Sequence, residues 1–239
     1  VLPGFGTTLP DAVLVRGIAG GSFEQVTKRL SVLHAFGALG VPVYNEGRAI
    51  ERSVDKAMTG WLLQQAGVPT PPAWALESTA QAQRLVMRES AAGRALVLKP
   101  LFGSQGKGLL KLGWVDGAHV PLPSLEGAPY GALAYLQRFV PGAAHDWRVL
   151  VIGGRARAAM RRSGAGWVHN VAQGARCEAQ PLTPALADVA ERASAALQLD
   201  YAGVDIVPTP DGGLAVLEVN GVAAWRGLES WSMRVSMAR

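Results

Sequence analysis

Residues 203–220, GVDIVPTPDGGLAVLEVN, hold two apolar runs around a cluster of Pro, Asp and Gly. Asp211-Gly212 is a strong hairpin signal, because both residues tolerate the left-handed backbone of a tight turn. A turn centred there sets Asp205 directly across from Glu218, and like charges placed opposite each other destabilise a sheet. Period-two alternation puts Leu214, Val216, Glu218 and Asn220 on one face, with Asp205 projecting toward it from the partner strand. Three oxygen-bearing side chains then converge. A hard cation such as Mg²⁺ would resolve the repulsion, since it takes carboxylate and amide oxygens and bridges to phosphates. The other reading binds Asp205 to a loop amide and leaves Glu218 at a solvated edge, and Pro208 and Pro210 could shift the register.

The rest of the chain alternates helical and extended signals. Ala12–Gly17 reads as a buried strand, residues from Phe23 to Leu39 as a helix, and Val41–Tyr44 as a second strand, together a parallel α/β unit. In RSVDKAMTGWLLQQAGVPTPP, Ser53 is the expected helix cap. Val54, Ala57, Met58, Trp61 and Leu62 form the expected apolar face, and Gly67 and Pro69 mark the end. Strands follow at Leu96–Pro100, Leu109–Leu112 and Leu133–Phe139, then a hairpin of Trp147–Ile152 and Arg155–Met160 around Gly153-Gly154. Thr183-Pro184 opens a helix with an apolar stripe of Leu186, Val189, Ala190, Ala193 and Leu197. The order is α/β, then mostly antiparallel β with helices between.

A second chemical signal is LVLKPLFGSQGKGLL, residues 96–110. It is not a P-loop, because Leu101 stands where the first glycine belongs and a strand follows. It is a glycine-rich turn, which can fold over phosphates with backbone amides where side chains would obstruct. Lys99 ends an apolar strand, where a lone charge is costly unless it meets an anion. Lys107 lies in the loop itself. Alone, the stretch also fits a hairpin tip with two solvated lysines. Paired with a carboxylate–amide metal site, it implies a nucleoside triphosphate with magnesium.

Composition narrows the classes. The 239 residues are 49% hydrophobic and 17% charged, which excludes a disordered chain and suffices for one large domain or a few subdomains. The net charge of +5 is dispersed, with no polybasic run, zinc-finger spacing or RNA-binding aromatic signature, so a small polyanion accounts for it without nucleic acid. Lone Cys177 excludes an internal disulfide and fits a reducing, cytoplasmic setting. No apolar run approaches the roughly 18 residues of a membrane helix, and no signal peptide is visible. The chain opens on Val1, so its natural start is open to question.

In this order, VDKAMTGWLLQQAGVPTP, LVLKPLFGSQGKG, LQRFVPG, HDWRVLVIGG, AGVDIV and LEVN resemble the ATP-grasp superfamily, and within it the RimK-like α-L-glutamate ligases. The similarity runs from about Asp11 to Leu228. It implies an α/β N-terminal portion (1–50, shortened by a strand) plus two α+β subdomains clasping ATP, a central one with the glycine-rich lid loop (51–136) and a C-terminal one with the metal site (137–239). It further implies an ADP-forming carboxylate–amine ligase that works through an acyl phosphate, with ATP, Mg²⁺ or Mn²⁺ (typically two ions), glutamate as the amine and an anionic acceptor. Homo-oligomers are common in the family, but no interface is legible here.

By the same resemblance Lys56, Lys99, Ser104 and Lys107 meet the nucleotide, and Gln137, Arg138, Phe139 and Val140 form a hinge offering backbone groups to adenine. Asp146 is a ribose-side or nucleotide contact, and Asp205, Glu218 and Asn220 are metal ligands. Arg148 and Arg162 are expected to bind the acyl phosphate or a substrate carboxylate, unless they are surface arginines on hairpin strands. Asn170 is expected at ATP and acceptor, unless it is a structural loop residue; His169 has no expected role. Three departures stand out: Gly221-Val222-Ala223-Ala224 after the metal residues, Arg138 in place of a common hinge glutamate, and the short N-terminal portion. GSQGKG after Phe102, WVHNVAQGA and WRGL at 225–228 resemble the branch acting on pterin or deazaflavin coenzymes. A ligase for peptide or protein C-termini, a synapsin-like non-catalytic ATP-binding module and a small-molecule kinase remain as alternatives.

Overall fold

A computed structural model of the chain describes residues 8–103, 106–170 and 174–223. The N-terminal unit is β1 (Val13–Leu14), α1 (Phe23–Ala38) and β2 (Val43–Tyr44), with the two strands parallel as expected. Ser22 caps α1: its hydroxyl accepts from the Gln25 N–H while the Gln25 side chain accepts from the Ser22 N–H. β1 is shorter than the expected Ala12–Gly17, because only two residues find a partner in β2 and Leu14 stays exposed. Leu30, Phe36, Val41, Val43 and Ile50 close this small core.

Two helices follow, α2 (Gly47–Val54) and α3 (Lys56–Gln65), where one was expected. Ser53 is not the cap. Its hydroxyl donates back to the Ile50 carbonyl inside α2, and Asp55 caps α3 by accepting from the Ala57 and Met58 N–H groups. The apolar face is also turned. Leu63 and Thr59 are buried and Leu62 packs on the core, while Val54, Met58 and Trp61 are largely exposed. Gly67 follows the C-cap residue Ala66 at φ +63°, the left-handed position that ends a helix without steric cost.

The second unit contains β3 (Ala73–Leu76), α4 (Thr79–Ala91), β4 (Ala95–Lys99), β5 (Leu110–Val115), β6 (Ala118–Val120) and β7 (Ala134–Arg138). Its strands form one antiparallel sheet in the order β3-β7-β4-β5-β6. Leu96 and Leu98 pack with Leu85 and Val86 of α4, so Val97 and Lys99 face the other way.

The third unit contains β8 (His145–Ile152), β9 (Arg155–Ser163), β10 (Arg176–Gln180), α5 (Pro184–Leu197), β11 (Tyr201–Pro208) and β12 (Leu214–Asn220). The sheet order is β10-β9-β8-β11-β12. Thr183 caps α5, Pro184 occupies its first turn, and the whole expected stripe from Leu186 to Leu197 is buried. Asn45, fully buried, ties the N-terminal unit to this sheet. Its amide donates to the carbonyls of Tyr201 and Gly221 and accepts from the N–H groups of Asp200 and Tyr201.

The opening hairpin forms with Asp205 opposite Glu218, yet one detail differs from simple alternation. Ile206 pairs with Val216, so Leu217 is an extra residue, a β-bulge. Leu214, Val216 and Val219 therefore belong to the core beneath α5, while Leu217 and Glu218 both turn to the opposite face. The expected shared face of Leu214, Val216, Glu218 and Asn220 is corrected by that single insertion.

Candidate nucleotide and metal site

The two five-stranded sheets turn their polar-bearing faces toward one cleft of about 990 Å³, its open mouth included. β4 contributes Val97 and Lys99, β7 and the following residues Gln137 to Val140, β8 and β9 Asp146 and Arg162, and the hairpin Asp205, Val207, Leu217 and Glu218. Apolar walls with a few convergent polar groups are the usual make-up of a ligand pocket.

Lys99 is part-buried at the end of β4. Its Nζ donates to the Gln137 side-chain oxygen at 2.6 Å. Burial lowers its pKa to about 8, helped by the nearby Lys56 and opposed by Glu218 and Asp205. Lys56 sits in the first turn of α3 and donates to the carbonyls of Leu101 (3.1 Å) and Gly103 (2.8 Å), so it anchors the start of the glycine-rich loop. Burial lowers its pKa as well, against the pull of Glu218 and Asp55. Gly106 and Gly108 take positive φ, and at Gly108 a Cβ would come within 3.0 Å of Pro129. Lys107 lines the cleft from this loop; Ser104 lies outside the described residues.

Four charges interlock at the other end. Arg148 donates to both oxygens of Asp205 at 2.7 Å, and Arg162 reaches the same carboxylate at 3.1 Å. Arg162 also grips Asp146 with two bonds of 2.7 and 2.9 Å. Burial works to raise the Asp205 pKa, but the charges and hydrogen bonds of the two arginines prevail and hold it below the usual range. For Asp146 burial prevails and lifts the pKa to about 6, against Arg162 and with the charge of Asp205 adding. The two arginines are not surface groups; Arg162 has 4% and Arg148 15% of its side chain exposed. Arg162 lines the cleft.

Glu218 faces Lys56 and Lys99 in this cleft, and the next residue of that face, Asn220, donates its amide N–H to the Gly203 carbonyl at 3.4 Å. Among the described residues no group of three His, Cys, Asp or Glu side chains gathers, so a cation held here relies on two carboxylates with amide and water oxygens. That donor set fits Mg²⁺, which keeps several waters. Both oxygens of Asp205 already accept from arginines, which holds its carboxylate in one orientation.

The expected hinge, residues 137–140, begins in the last two residues of β7. The Arg138 N–H donates to Pro72 and the Phe139 N–H to Ala95, so neither is offered to a ligand. The Gln137 side chain serves Lys99, and the Arg138 side chain leaves the cleft to bind Glu89 on the outer face of the sheet. Phe139 meets Trp167 edge to face at 5.9 Å, and the Lys111 ammonium sits 4.2 Å from the Phe139 ring centre. Asn170 and His169 both line the cleft. Sequence reasoning missed Trp167 and Lys111, although the aromatic lies inside the WVHNVAQGA stretch. Ala224 and residues 225–228 lie outside the described residues.

A family profile described as RimK-like ATP-grasp domain matches residues 53–237. The chain belongs to that family. The tetrahydromethanopterin:alpha-L-glutamate ligase of Methanosarcina acetivorans is 30% identical, the match covering 93% of this chain and 76% of that protein. Its namesake from Methanocaldococcus jannaschii is 33% identical over 93% and 75% of the two chains. Among solved structures, the ATP-grasp ligase PsnB complexed with a minimal precursor, Mg and ADP superposes with a TM-score of 0.66 at 25% identity, covering 92% of this chain and 72% of that one. D-alanine–D-alanine ligase from Bacillus anthracis, 18% identical, shares the fold with a TM-score of 0.67, covering 95% and 75%. The fold implies use of ATP and a divalent metal. No helix among the described residues is long and apolar enough to cross a membrane.

Proposed function

We propose that the chain is an ADP-forming ligase that joins the amino group of glutamate to a carboxylate of a coenzyme-type acceptor through an acyl phosphate. One observation carries this reading. Glu218 stands across from Asp205, whose charge Arg148 and Arg162 already meet, in the same cleft as Lys56, Lys99 and Lys107, which sets oxygen donors for a metal beside cations for a triphosphate. The methanogen relatives, named as glutamate ligases for a pterin coenzyme, support the amine and the acceptor class.

Each residue takes a role from its place. Lys99, Lys56 and Lys107 spread positive charge along the polyphosphate, and the carbonyl groups and Val140 of the hinge remain for adenine. Asp205, Glu218 and Asn220 would hold Mg²⁺, in one or two ions, which when bound draws charge off the transferring phosphoryl oxygens. An acceptor carboxylate oxygen attacks the γ-phosphorus and the bond to ADP breaks; the amine nitrogen then attacks the acyl carbon and phosphate leaves with the amine proton. Arg162, which lines the cleft, steadies the anionic groups together with Arg148, which shares Asp205 with it, while Asn170 borders the acceptor. The glycine-rich loop, tied at its base by Lys56, excludes water from the acyl phosphate. The expected lobe boundary, between residues 136 and 137, lies within β7 just before its end at Arg138, and the reaction belongs in the cytoplasm.

The test is ADP release with purified protein, Mg-ATP, glutamate and tetrahydromethanopterin. ADP is expected only when amine and acceptor are both present, with a product heavier by one glutamyl residue. Tight ATP binding without acceptor-dependent ADP would indicate a binding module instead. A peptide acceptor is the second reading, favoured by the likeness to PsnB, which was solved with a precursor. Turnover with acidic peptides but not with the coenzyme would select it.

A further inference from the structure

Outside the cleft, one buried carboxylate is held by three cations. Glu89, in the last turn of α4, has 1% of its side chain exposed. It accepts from Arg94 at 2.7 and 3.3 Å, from Arg138 at 2.9 and 3.1 Å, and from Arg88 at 3.4 Å. Arg94 immediately precedes β4, and Arg138 is the last residue of β7, where the strand gives way to the hinge. The guanidinium groups of Arg138 and Arg88 each lie 5.9 Å from the Trp74 ring on β3. One carboxylate thus joins the ends of two neighbouring strands from behind, while the residues flanking Arg138, Gln137 and Phe139, line the cleft in front. A planar guanidinium held through two nitrogens fixes direction as well as distance. The hinge is otherwise secured here by backbone bonds, Arg138 to Pro72 and Phe139 to Ala95.

We propose that Glu89 is a positioning residue for the nucleobase: through Arg138 it fixes the hinge at residues 138–140 against β4, and so sets the edge that distinguishes adenine. This rests on the reading of the cleft as an ATP site. A brace of this kind moves base recognition and leaves the phosphate contacts at Lys56 and Lys99 untouched, whereas a role in fold stability alone would weaken every nucleotide equally.

The experiment measures dissociation constants of Mg-ATP and Mg-ITP, which differ at the purine edge, for the wild type, Glu89→Gln, Arg138→Gln and the double variant. The wild type is expected to prefer ATP by at least about tenfold, a margin equal to one well-placed hydrogen bond. In Glu89→Gln, ATP should weaken about tenfold and ITP by no more than about twofold, which brings the preference close to one. Arg138→Gln should match it, and the double variant should add nothing further, as expected for residues that act as one unit. Should Glu89→Gln fail to fold, Arg138→Gln, which leaves the Glu89–Arg94 pair in place, carries the same expectation. Equal weakening of both nucleotides, an unchanged preference, or a wild type that binds ATP without preferring it would overturn the proposal. A wild type that binds no ATP would instead contradict the function proposed above.

Discussion

Lys99 concentrates the chemistry of the cleft in one side chain. Desolvation in the cleft lowers the pKa of its ammonium to about 8 from an ordinary value of 10.5. A triphosphate stabilises the protonated form and must raise that value, so binding takes up protons near pH 8. The sign follows directly. Affinity is fully present below the free pKa and is lost as pH rises through it, by about tenfold per unit until the bound-state pKa is reached. Calorimetry of Mg-ATP binding between pH 7 and 9, in buffers of different protonation enthalpy, should show this uptake. Lys99→Arg should flatten the dependence. A wild type with no proton uptake at pH 8 would remove Lys99 from the phosphate contacts. Arg148 and Arg162 teach a different lesson. Each was legible as a candidate, but their pairing with Asp205 and Asp146 was not, because strand register decides which charges meet and no local pattern encodes it.

At the level of elements, strong periodicity translated well and capping chemistry less so. The α5 stripe and the Gly153-Gly154 hairpin formed as read, since a buried face and a turn that demands positive φ are local properties. The cap of α3 was misplaced because Ser53 and Asp55 are both good acceptors, and only the chain's path shows that Asp55 meets two N–H groups. Asp55→Ala should therefore cost about 1 kcal/mol in urea unfolding, the usual worth of a helix cap. Ser53→Ala, whose hydroxyl serves only the Ile50 carbonyl, should cost less. Equal losses would contradict the assignment. The bulge at Leu217 was invisible for a related reason. An inserted residue follows from the packing of Val216 and Val219 under α5, which has to be reconciled with Glu218 in the cleft, and alternation alone cannot supply it.

Across the whole molecule, two sheets with separate cores present their polar faces to one cleft, and the N-terminal unit is tied to the second of them through Asn45. The resemblance of the motifs to the ATP-grasp superfamily led to the expectation of such a plan; distances between the sheets were not legible, since they depend on contacts between residues far apart in the chain. The account stands on the Asp205–Glu218 pair as the seat of a divalent ion beside the triphosphate. The most direct test is the affinity of ATP with and without Mg²⁺, in the wild type and in Glu218→Gln. Mg²⁺ should tighten ATP binding by at least about tenfold in the wild type and leave the variant nearly unchanged, as expected where charge neutralisation dominates. An equal Mg²⁺ enhancement in both proteins would place the ion elsewhere and contradict the account.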